Sequence, residues 1–243
     1  MVEVLPAQSI FIQIDYGEVT ILESNDMQVS VGGKVLFEDE LEYGIDSTED
    51  QILIKAFVHR KSSSMIPLQI IVRLPGEMRV TVETNDAKVF AQDLHAEVEV
   101  ASTSGDITLE EITGTMILYS NRGNITLRES QGIVSLVGNY GRLTTENVHG
   151  NISMSTIMGN IEFDGLIEGG DAVRLETDHG AVSINLDADS ALTLQVSSTS
   201  GDVACMLTDV SASTRSCDGT IGSGGGSLSV RTVSGAVTLQ SIP

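Results

Sequence analysis

Tryptophan is absent from this sequence of 243 residues, aromatic residues make up 4% of it, and it has four prolines. No run of 18 consecutive apolar residues occurs, so the sequence predicts no transmembrane helix. The first residues, Met1 to Val4, have neither a basic nor an apolar stretch, so no signal peptide is expected in this chain. We therefore expect no direct insertion into a membrane.

Basic residues are also scarce, and the chain is strongly acidic. Lys and Arg number 13 against 34 Asp and Glu, which gives a formal net charge of −21. Binding to nucleic acid requires Lys and Arg that displace counterions, and docking on anionic lipid requires them as well. The composition therefore argues against both partners. The acidity indicates solubility and protected sheet edges, with divalent-cation binding along an acidic face as the alternative.

Cysteine occurs twice, at Cys205 and Cys217. A disulfide between them is conceivable, but two cysteines do not establish an oxidising compartment, so their pairing stays open. No Cys/His spacing typical of zinc occurs. The sequence therefore predicts no zinc site.

Glycine, in contrast, is abundant and regularly spaced. The chain has 24 glycines, and one series recurs first every 18 residues and then every 21. Its members are Gly105, Gly123, Gly141, Gly159, Gly180, Gly201 and, after a longer gap, Gly235. Apolar residues lie seven and five positions before each glycine and two positions after it. Repetition at such an interval is the signature of a solenoid.

The offsets around each glycine predict short strands joined by tight turns. Side chains in a strand alternate between its faces, so residues two apart point into the same core. Glycine allows the positive φ that a turn can require. Hydroxyls three positions before most of these glycines can bond the turn backbone and one another: Ser102, Ser120, Thr156, Thr177, Ser198 and Thr232. The sequence therefore predicts an all-β fold, a single-stranded β-solenoid of coils 18 to 21 residues long.

The spacing also predicts how the chain is divided. Residues 76–243 are expected to form the solenoid, with a degraded coil near 207–227 where small residues replace apolar ones. That coil runs into the glycine- and serine-rich stretch 222–227, which indicates a short bulge or loop. Residues 1–75 lack the regular spacing, although Gly17 has apolar neighbours at the same offsets. They are predicted to be a β-rich N-terminal cap, because an uncovered terminal coil would pair with other chains.

Several segments resemble a known family. The opening Ile10–Val19, the Leu74–Gly76 turn and the Ser-Thr-Ser-Gly-Asp motifs at 102–106 and 198–202 are similar to the bacterial "putative adhesin" family. The resemblance implies a domain of unknown function with a right-handed parallel β-helix, located in the cell envelope or outside the cell. A left-handed hexapeptide solenoid is the alternative fold, since the sequence alone does not set the handedness. Without export, the location would be cytoplasmic.

Charged residues in predicted turns are the candidate site residues. The carboxylates considered are Asp106, Asp164, Asp171, Asp178 and Asp202. Arg174, Asp178 and His179 offer a cation, an acid and a base within six residues, but charged turn residues explain this grouping equally well. The other histidines are expected at the surface: His59, His95 and His149. The sequence therefore predicts no catalytic, cofactor-binding or metal-binding residue, no cofactor and no enzymatic activity.

These observations favour a noncatalytic, adhesin-like β-solenoid, with a structural role or a role in binding a protein or glycan partner of unknown identity. One alternative is a glycan-acting enzyme of the polysaccharide lyase or hydrolase kind, which would need a groove with paired carboxylates. The other is a scaffold protein that assembles into filaments through exposed solenoid ends. The oligomeric state is not set by the sequence.

Overall fold

The computed structural model describes residues 9–24, 28–34, 41–58, 68–208 and 210–242. These residues form an all-β fold, and no helix occurs among them. The chain divides into two compact units, residues 1–123 and 124–243. Each unit consists of strands stacked in coils, which confirms the predicted all-β, solenoid-like fold. The predicted boundary between residues 75 and 76 stays a prediction. The described part of the chain holds no apolar helix of the length needed to cross a membrane.

The first unit has eight strands among its described residues. They are β1 (Ser9–Glu23), β2 (Ser30–Lys34), β3 (Leu41–Ser47), β4 (Gln51–Val58), β5 (Gln69–Leu74), β6 (Arg79–Leu94), β7 (Val98–Ser102) and β8 (Ile107–Ser120).

The first strand of this unit lies inside the stack. β1 pairs in parallel with β4 and β5 along one edge and with β6 along the other. β6 then pairs in parallel with β7 and with the first half of β8. β2 runs antiparallel to β5, and β3 runs antiparallel to β4. The coil made of β4 and β5 is therefore covered by two antiparallel strands.

The second unit has thirteen strands among its described residues. They are β9 (Ile125–Arg128), β10 (Gln131–Gly138), β11 (Leu143–Glu146), β12 (His149–Thr156), β13 (Ile161–Gly165), β14 (Ala172–Thr177), β15 (Val182–Asp187), β16 (Leu192–Ser198), β17 (Val203–Met206), β18 (Val210–Ala212), β19 (Ser216–Ile221), β20 (Gly226–Thr232) and β21 (Val237–Ile242).

The last coil of this unit is inserted between two earlier coils. β10, β12 and β14 stack in parallel on one face, and β9, β11, β13 and β15 stack on another. The layer next to β14 and β15 is formed by β20 and β21 rather than by β16 and β17. β16 and β17 pair with the other edges of β20 and β21. The C-terminal strands therefore fill an interior layer.

Residues 207–227 do not form the predicted degraded coil. β19 runs antiparallel to β16 and pairs with β18 as a hairpin, so it covers the outer edge of the stack. Small residues such as Ala212 cannot fill the interior of a parallel coil, and Gly219 packs against Val210 instead of continuing the glycine series. Cys205 and Cys217, whose pairing the sequence left open, form a disulfide that ties β17 to β19.

The glycine-rich run provides the path into the inserted layer. Gly222, Gly224 and Gly225 have φ values of 59°, 70° and 111°, a conformation that side chains resist. A Cβ at Gly226 would contact the Glu168 carbonyl oxygen and the Ile167 side chain. Glycines therefore let the chain turn and pass through a space too narrow for side chains.

The core consists of the apolar positions expected from the glycine spacing. Residues seven and five positions before each glycine, and two after it, are buried in every repeat of the series. A further inward position, seven residues after the glycine, was not recognised in the sequence; it is occupied by Ile112 in the first unit and by Ser130 and Val148 in the second. Leu94 is buried at the same distance after Ala87. A second glycine series, Gly114, Gly132 and Gly150, lies at a corner with positive φ.

Apart from that of Ser102, the buried hydroxyls of the series bond the turn backbone as predicted. In the second unit, Thr156, Thr177, Thr232 and Ser198 each accept a hydrogen bond from the N–H of the glycine three residues later, at 2.8–3.1 Å. Ser198 also donates to the Gly235 carbonyl oxygen, at 3.2 Å. Gly235 belongs to the inserted layer, so the same hydroxyl fixes both its own turn and the neighbouring one.

Candidate functional site

A hollow of about 240 Å³ lies on the first unit, where β1, β6, β7 and β8 meet the turn. It exists because a small side chain stands between large ones. In the ladder, Ala101 pairs with Glu83 on one side and with Tyr119 on the other. The side chains that matter to its chemistry are Gln13, Asp15, Glu83, Asn85, Ser102 and Tyr119, and we name it the Ser102 hollow.

Ser102 differs from the other hydroxyls of its series. Its side chain is buried, and its Oγ has no hydrogen-bond partner; no other buried side-chain polar atom among the described residues lacks one. At the equivalent position, Thr84 accepts a hydrogen bond from the N–H of Ala87, and Ser120 accepts one from that of Gly123. A buried hydroxyl without a partner lowers stability by about 1–3 kcal/mol relative to a paired one. Buried and less buried positions alternate along β7, so the Ser102 side chain points to the inner face of the strand, opposite to the outward Ala101 that lines the hollow.

Polar side chains line the outer part of the hollow. The Asn85 side-chain amide donates to Asp15 Oδ1 at 2.7 Å, which holds both groups in place. Glu83 and Asn85 are exposed, and Gln13 and Asp15 are half-buried. Tyr119 is 40% exposed and forms one wall. The hollow thus combines amides and carboxylates with an aromatic side chain.

A second hollow, of about 270 Å³, lies in the first unit beside β2, β3 and β4. Tyr43, Ile45 and Ile54 line it together with Lys34 and Lys55. Its charged side chains are the two lysines, whereas the Ser102 hollow brings together amides, carboxylates and an aromatic ring. The Ser102 hollow is therefore the better candidate.

Exposed apolar side chains gather on two adjacent turns of the second unit. Tyr140, Ile157 and Met158 are 60%, 48% and 56% exposed, and the Met158 N–H donates to the Asn139 carbonyl oxygen. We call these three residues the apolar turn patch. Such patches mark contact surfaces when they are large, and three side chains make a small one.

An acidic corner on the first unit contains a coupled carboxylate pair. Asp93 and Glu111 both have positive φ, 58° and 56°. The hydrogen bond with Glu111 raises the pKa of Asp93, and hydrogen bonds from Gln92 and Asp93 lower the pKa of Glu111. Both carboxylates are exposed. Neither carboxylate lines either of the two hollows.

The predicted grouping of Arg174, Asp178 and His179 is not assembled as a site. Arg174 forms an ion pair with Glu176, at 2.7 Å. His179 Nδ1 lies 2.8 Å from the Ser234 hydroxyl in the inserted layer. The two side chains thus engage different partners on an exposed surface, so the geometry offers no shared reaction centre.

The other carboxylates considered as candidates are dispersed. Asp106 belongs to the first unit, whereas Asp164, Asp171 and Asp202 belong to the second. Asp164 accepts a hydrogen bond from the Asn185 amide at 3.5 Å, and Asp171 accepts one from the Glu168 N–H at 3.2 Å. In the described ranges no three His, Cys, Asp or Glu side chains are grouped so as to hold a metal ion.

The remaining histidines occupy different environments. His95 is exposed and His149 is half-buried. His59 lies outside the described residues.

Comparison with known proteins assigns the chain to a family, because residues 7–240 match the model of the Toastrack DUF4097 family. The chain belongs to this family. No curated protein matches the sequence. The chain is also similar to the crystal structure of a "putative cell adhesion protein" from Clostridium sporogenes ATCC 15579. That likeness has 10% identity and a TM-score of 0.35, and it covers 99% of this chain and 97% of that chain.

The family resemblance inferred from the sequence is thereby confirmed for this Toastrack chain, which belongs to a family of unknown function. The Ser102 hollow, however, was missed. The sequence pattern placed Ser102 among the turn hydroxyls and did not distinguish Ala101 from other outward residues. The available signal was a small residue at an outward position whose counterparts are large, Glu83 and Tyr119, each 18 residues away.

Proposed function

We propose that this Toastrack chain is a noncatalytic, adhesin-like binding domain whose ligand occupies the Ser102 hollow. The observation that carries the proposal is the hollow itself, in which the small Ala101 leaves room between polar side chains and the exposed Tyr119. Polar groups that converge on one concave surface beside an aromatic side chain are typical of a ligand site.

The polar groups around the hollow favour binding over catalysis. Asp15 already accepts a hydrogen bond from the Asn85 amide, so this carboxylate holds a neighbouring side chain in place. Glu83 is exposed to solvent. The hollow therefore offers acceptors, amide donors and an aromatic wall, which are groups that bind polar ligands.

We also propose a location in the cell envelope or outside the cell. The disulfide between Cys205 and Cys217 supports it, because disulfides persist mainly in oxidising compartments.

For the helical sense we propose the right-handed form. Parallel strands joined by a crossover in one sheet are right-handed in nearly all proteins, because strands have a right-handed twist. The parallel pairing of β10 with β12, and of β12 with β14, supports this choice.

Filament assembly through exposed coil edges is less favoured. In the first unit the coil of β4 and β5 is paired with the antiparallel β3 and β2. In the second unit β19 covers β16 in the same way. Antiparallel strands that cover a coil remove the edge on which another copy would stack.

A glycan array with neutral, acidic and amino sugars tests the proposed function. We expect the full chain to bind at least one class of glycan without releasing new reducing ends. The variant Ala101→Phe fills the hollow and should abolish binding, whereas Ala204→Phe, at an exposed strand position of the second unit, should bind as the parent does. Cleavage of the glycan, or binding that survives Ala101→Phe, would overturn the proposal.

A further inference from the structure

We infer that the Ser102 hollow binds a single uncharged hexopyranose ring, a ligand assignment that rests on the proposed binding function. Four observations carry it: the size of the hollow, the aromatic wall at Tyr119, the paired amide and carboxylate, and the absence of basic side chains from its lining.

The size of the hollow suits one sugar ring. Pockets for drug-sized ligands have volumes of about 300–1,000 Å³, and this hollow, at about 240 Å³, is smaller. Its floor is closed by the Ala101 methyl group and by buried Ile14 and Thr84. The hollow thus takes one ring of a glycan, and the rest of the glycan would extend into solvent.

Tyr119 provides the wall against which an apolar face of the sugar can pack. The face of an aromatic ring carries negative charge density and its edge positive charge density. The axial C–H bonds on one face of a hexopyranose carry partial positive charge, so they are attracted to the ring face. With 40% of its surface exposed, Tyr119 has area available for this contact.

The polar side chains match neighbouring sugar hydroxyls. Each hydroxyl both donates and accepts, so a pair of them is best met by a carboxylate acceptor beside an amide donor. Asp15 and Asn85 form such a pair and are held at 2.7 Å before any ligand binds. Gln13 adds a second amide. Because these groups are ordered in advance, little conformational entropy is lost on binding.

The charge of the site selects against acidic sugars. Asp15 and Glu83 are the charged residues among those that line it, and the whole chain has a formal net charge of −21. A uronate or sialate carboxylate would meet like charge without a cation to pair with it. Uncharged hexopyranoses avoid this penalty and keep every hydroxyl contact.

Titration of the full chain with methyl hexopyranosides of the gluco, galacto and manno series tests the inference. The readout is the ¹H–¹⁵N NMR signals of the Asn85 and Gln13 side-chain amides. We expect at least one hexoside to shift both signals with a Kd of about 1 mM, the range for a ligand with so few atoms. Glucuronate should bind at least tenfold more weakly, and a tenfold change in Kd corresponds to about 1.4 kcal/mol of binding free energy.

Two variants of Tyr119 separate stacking from folding. Tyr119→Ala should weaken hexoside binding about tenfold, which corresponds to the loss of one aromatic contact. Tyr119→Phe keeps the ring face and should bind nearly as the parent does. Equal affinities for the two variants would overturn the role assigned to the aromatic wall.

The outcomes distinguish the ligand class from the binding function. If glucuronate or glucosamine shifts the Asn85 and Gln13 amides more strongly than every neutral hexoside, the hollow is a binding site and the assigned sugar class is wrong. If no sugar shifts these amide signals in the titration and no glycan on the array binds the chain, both the inference and the proposed function fail.

Discussion

At the scale of single residues, each turn depends on one hydroxyl and one glycine. Thr177 accepts from the Gly180 N–H at 3.0 Å and donates to the Gly159 carbonyl oxygen at 3.2 Å, so it satisfies groups of two layers at once. Glycine is needed at position 180 because the backbone of the adjacent layer occupies the place where a Cβ atom would lie. The spacing of these residues could be predicted from the sequence, since both interactions are local to the repeat.

Replacing Gly180 with alanine should strongly destabilise the chain. A Cβ there would overlap the Gly159 carbonyl oxygen, a backbone atom that cannot move aside without breaking the ladder. We expect a loss of about 3 kcal/mol in the free energy of unfolding, measured by urea titration. Gly32→Ala is the control, since a Cβ at exposed Gly32 meets nothing within 4 Å. Equal stability of the two variants would contradict this account of the glycine series.

The acidic corner leads to a pH-dependent prediction. The hydrogen bond with Glu111 is the largest cause that raises the pKa of Asp93 above its ordinary 3.8, followed by loss of hydration and by repulsion from Glu111 and Glu23. The folded chain therefore holds this proton more tightly than the unfolded chain, so this contribution lowers stability as pH rises from 3.8 through the folded-state pKa. Asp93→Asn should raise the thermal midpoint at about pH 7 and leave it nearly unchanged at about pH 3.

Glu111 contributes in the opposite direction. Hydrogen bonds from Gln92 and then Asp93 lower the pKa of Glu111 from its ordinary 4.5, so its contribution is present above that pH and is lost as pH falls. The amide of the Asp93→Asn variant can still donate to Glu111, and asparagine tolerates positive φ. A difference in thermal midpoint that does not change with pH would show that the carboxylate pair is not coupled.

At the scale of elements, antiparallel strands complete both units. β19 covers β16, and the disulfide from Cys217 holds it to Cys205 in β17. The sequence predicted a degraded coil here, because Gly219 keeps the interval of 18 residues from Gly201. Spacing alone does not distinguish a parallel coil from an antiparallel hairpin. The hairpin forms because its residues are too small to add a layer of core.

Reduction of the disulfide should loosen β18 and β19. The bond closes a loop with a sequence separation of 12 residues, for which chain entropy gives a stabilisation of about 3 kcal/mol. We expect a reductant to lower the thermal midpoint and to speed hydrogen exchange in residues 210–221. Cys205→Ser should show the same low midpoint with no response to reductant. If reductant lowers the midpoint of this variant too, its effect does not come from the disulfide.

At the scale of the whole chain, one terminal element of each unit lies in an interior layer. β1 is flanked by β4 and β5 on one edge and by β6 on the other. β20 is flanked by β14 and β16. Neighbouring layers are therefore not always consecutive in sequence. β20 and β21 follow β16 and β17 in the chain, but they lie between these strands and the layer of β14 and β15. The strands of both terminal segments are therefore paired along both of their edges. A strand in an end layer would be paired along one edge only.

Removal of residues 222–243 should disturb more than the last coil. In a stack built in chain order, only the final layer would be lost. Here the deletion removes the layer between β14 and β16, so β16 and β17 lose their inner partners. We expect rapid proteolysis within 188–221 in the truncated chain, measured by limited proteolysis with mass spectrometry. Cleavage confined to the new C-terminus would show that the layers are stacked in chain order.

The sequence by itself determined the all-β fold, the inward residues and the glycine turns, because each depends on alternation and spacing within one repeat. Only the tertiary structure decided the order of the layers, since backbone hydrogen bonds between parallel strands are the same whichever repeat lies next. It also decided the Ser102 hollow, which needs Asp15, Ala101 and Tyr119 on different strands to meet. A site of this kind has no contiguous motif, because its side chains become neighbours only when the layers stack.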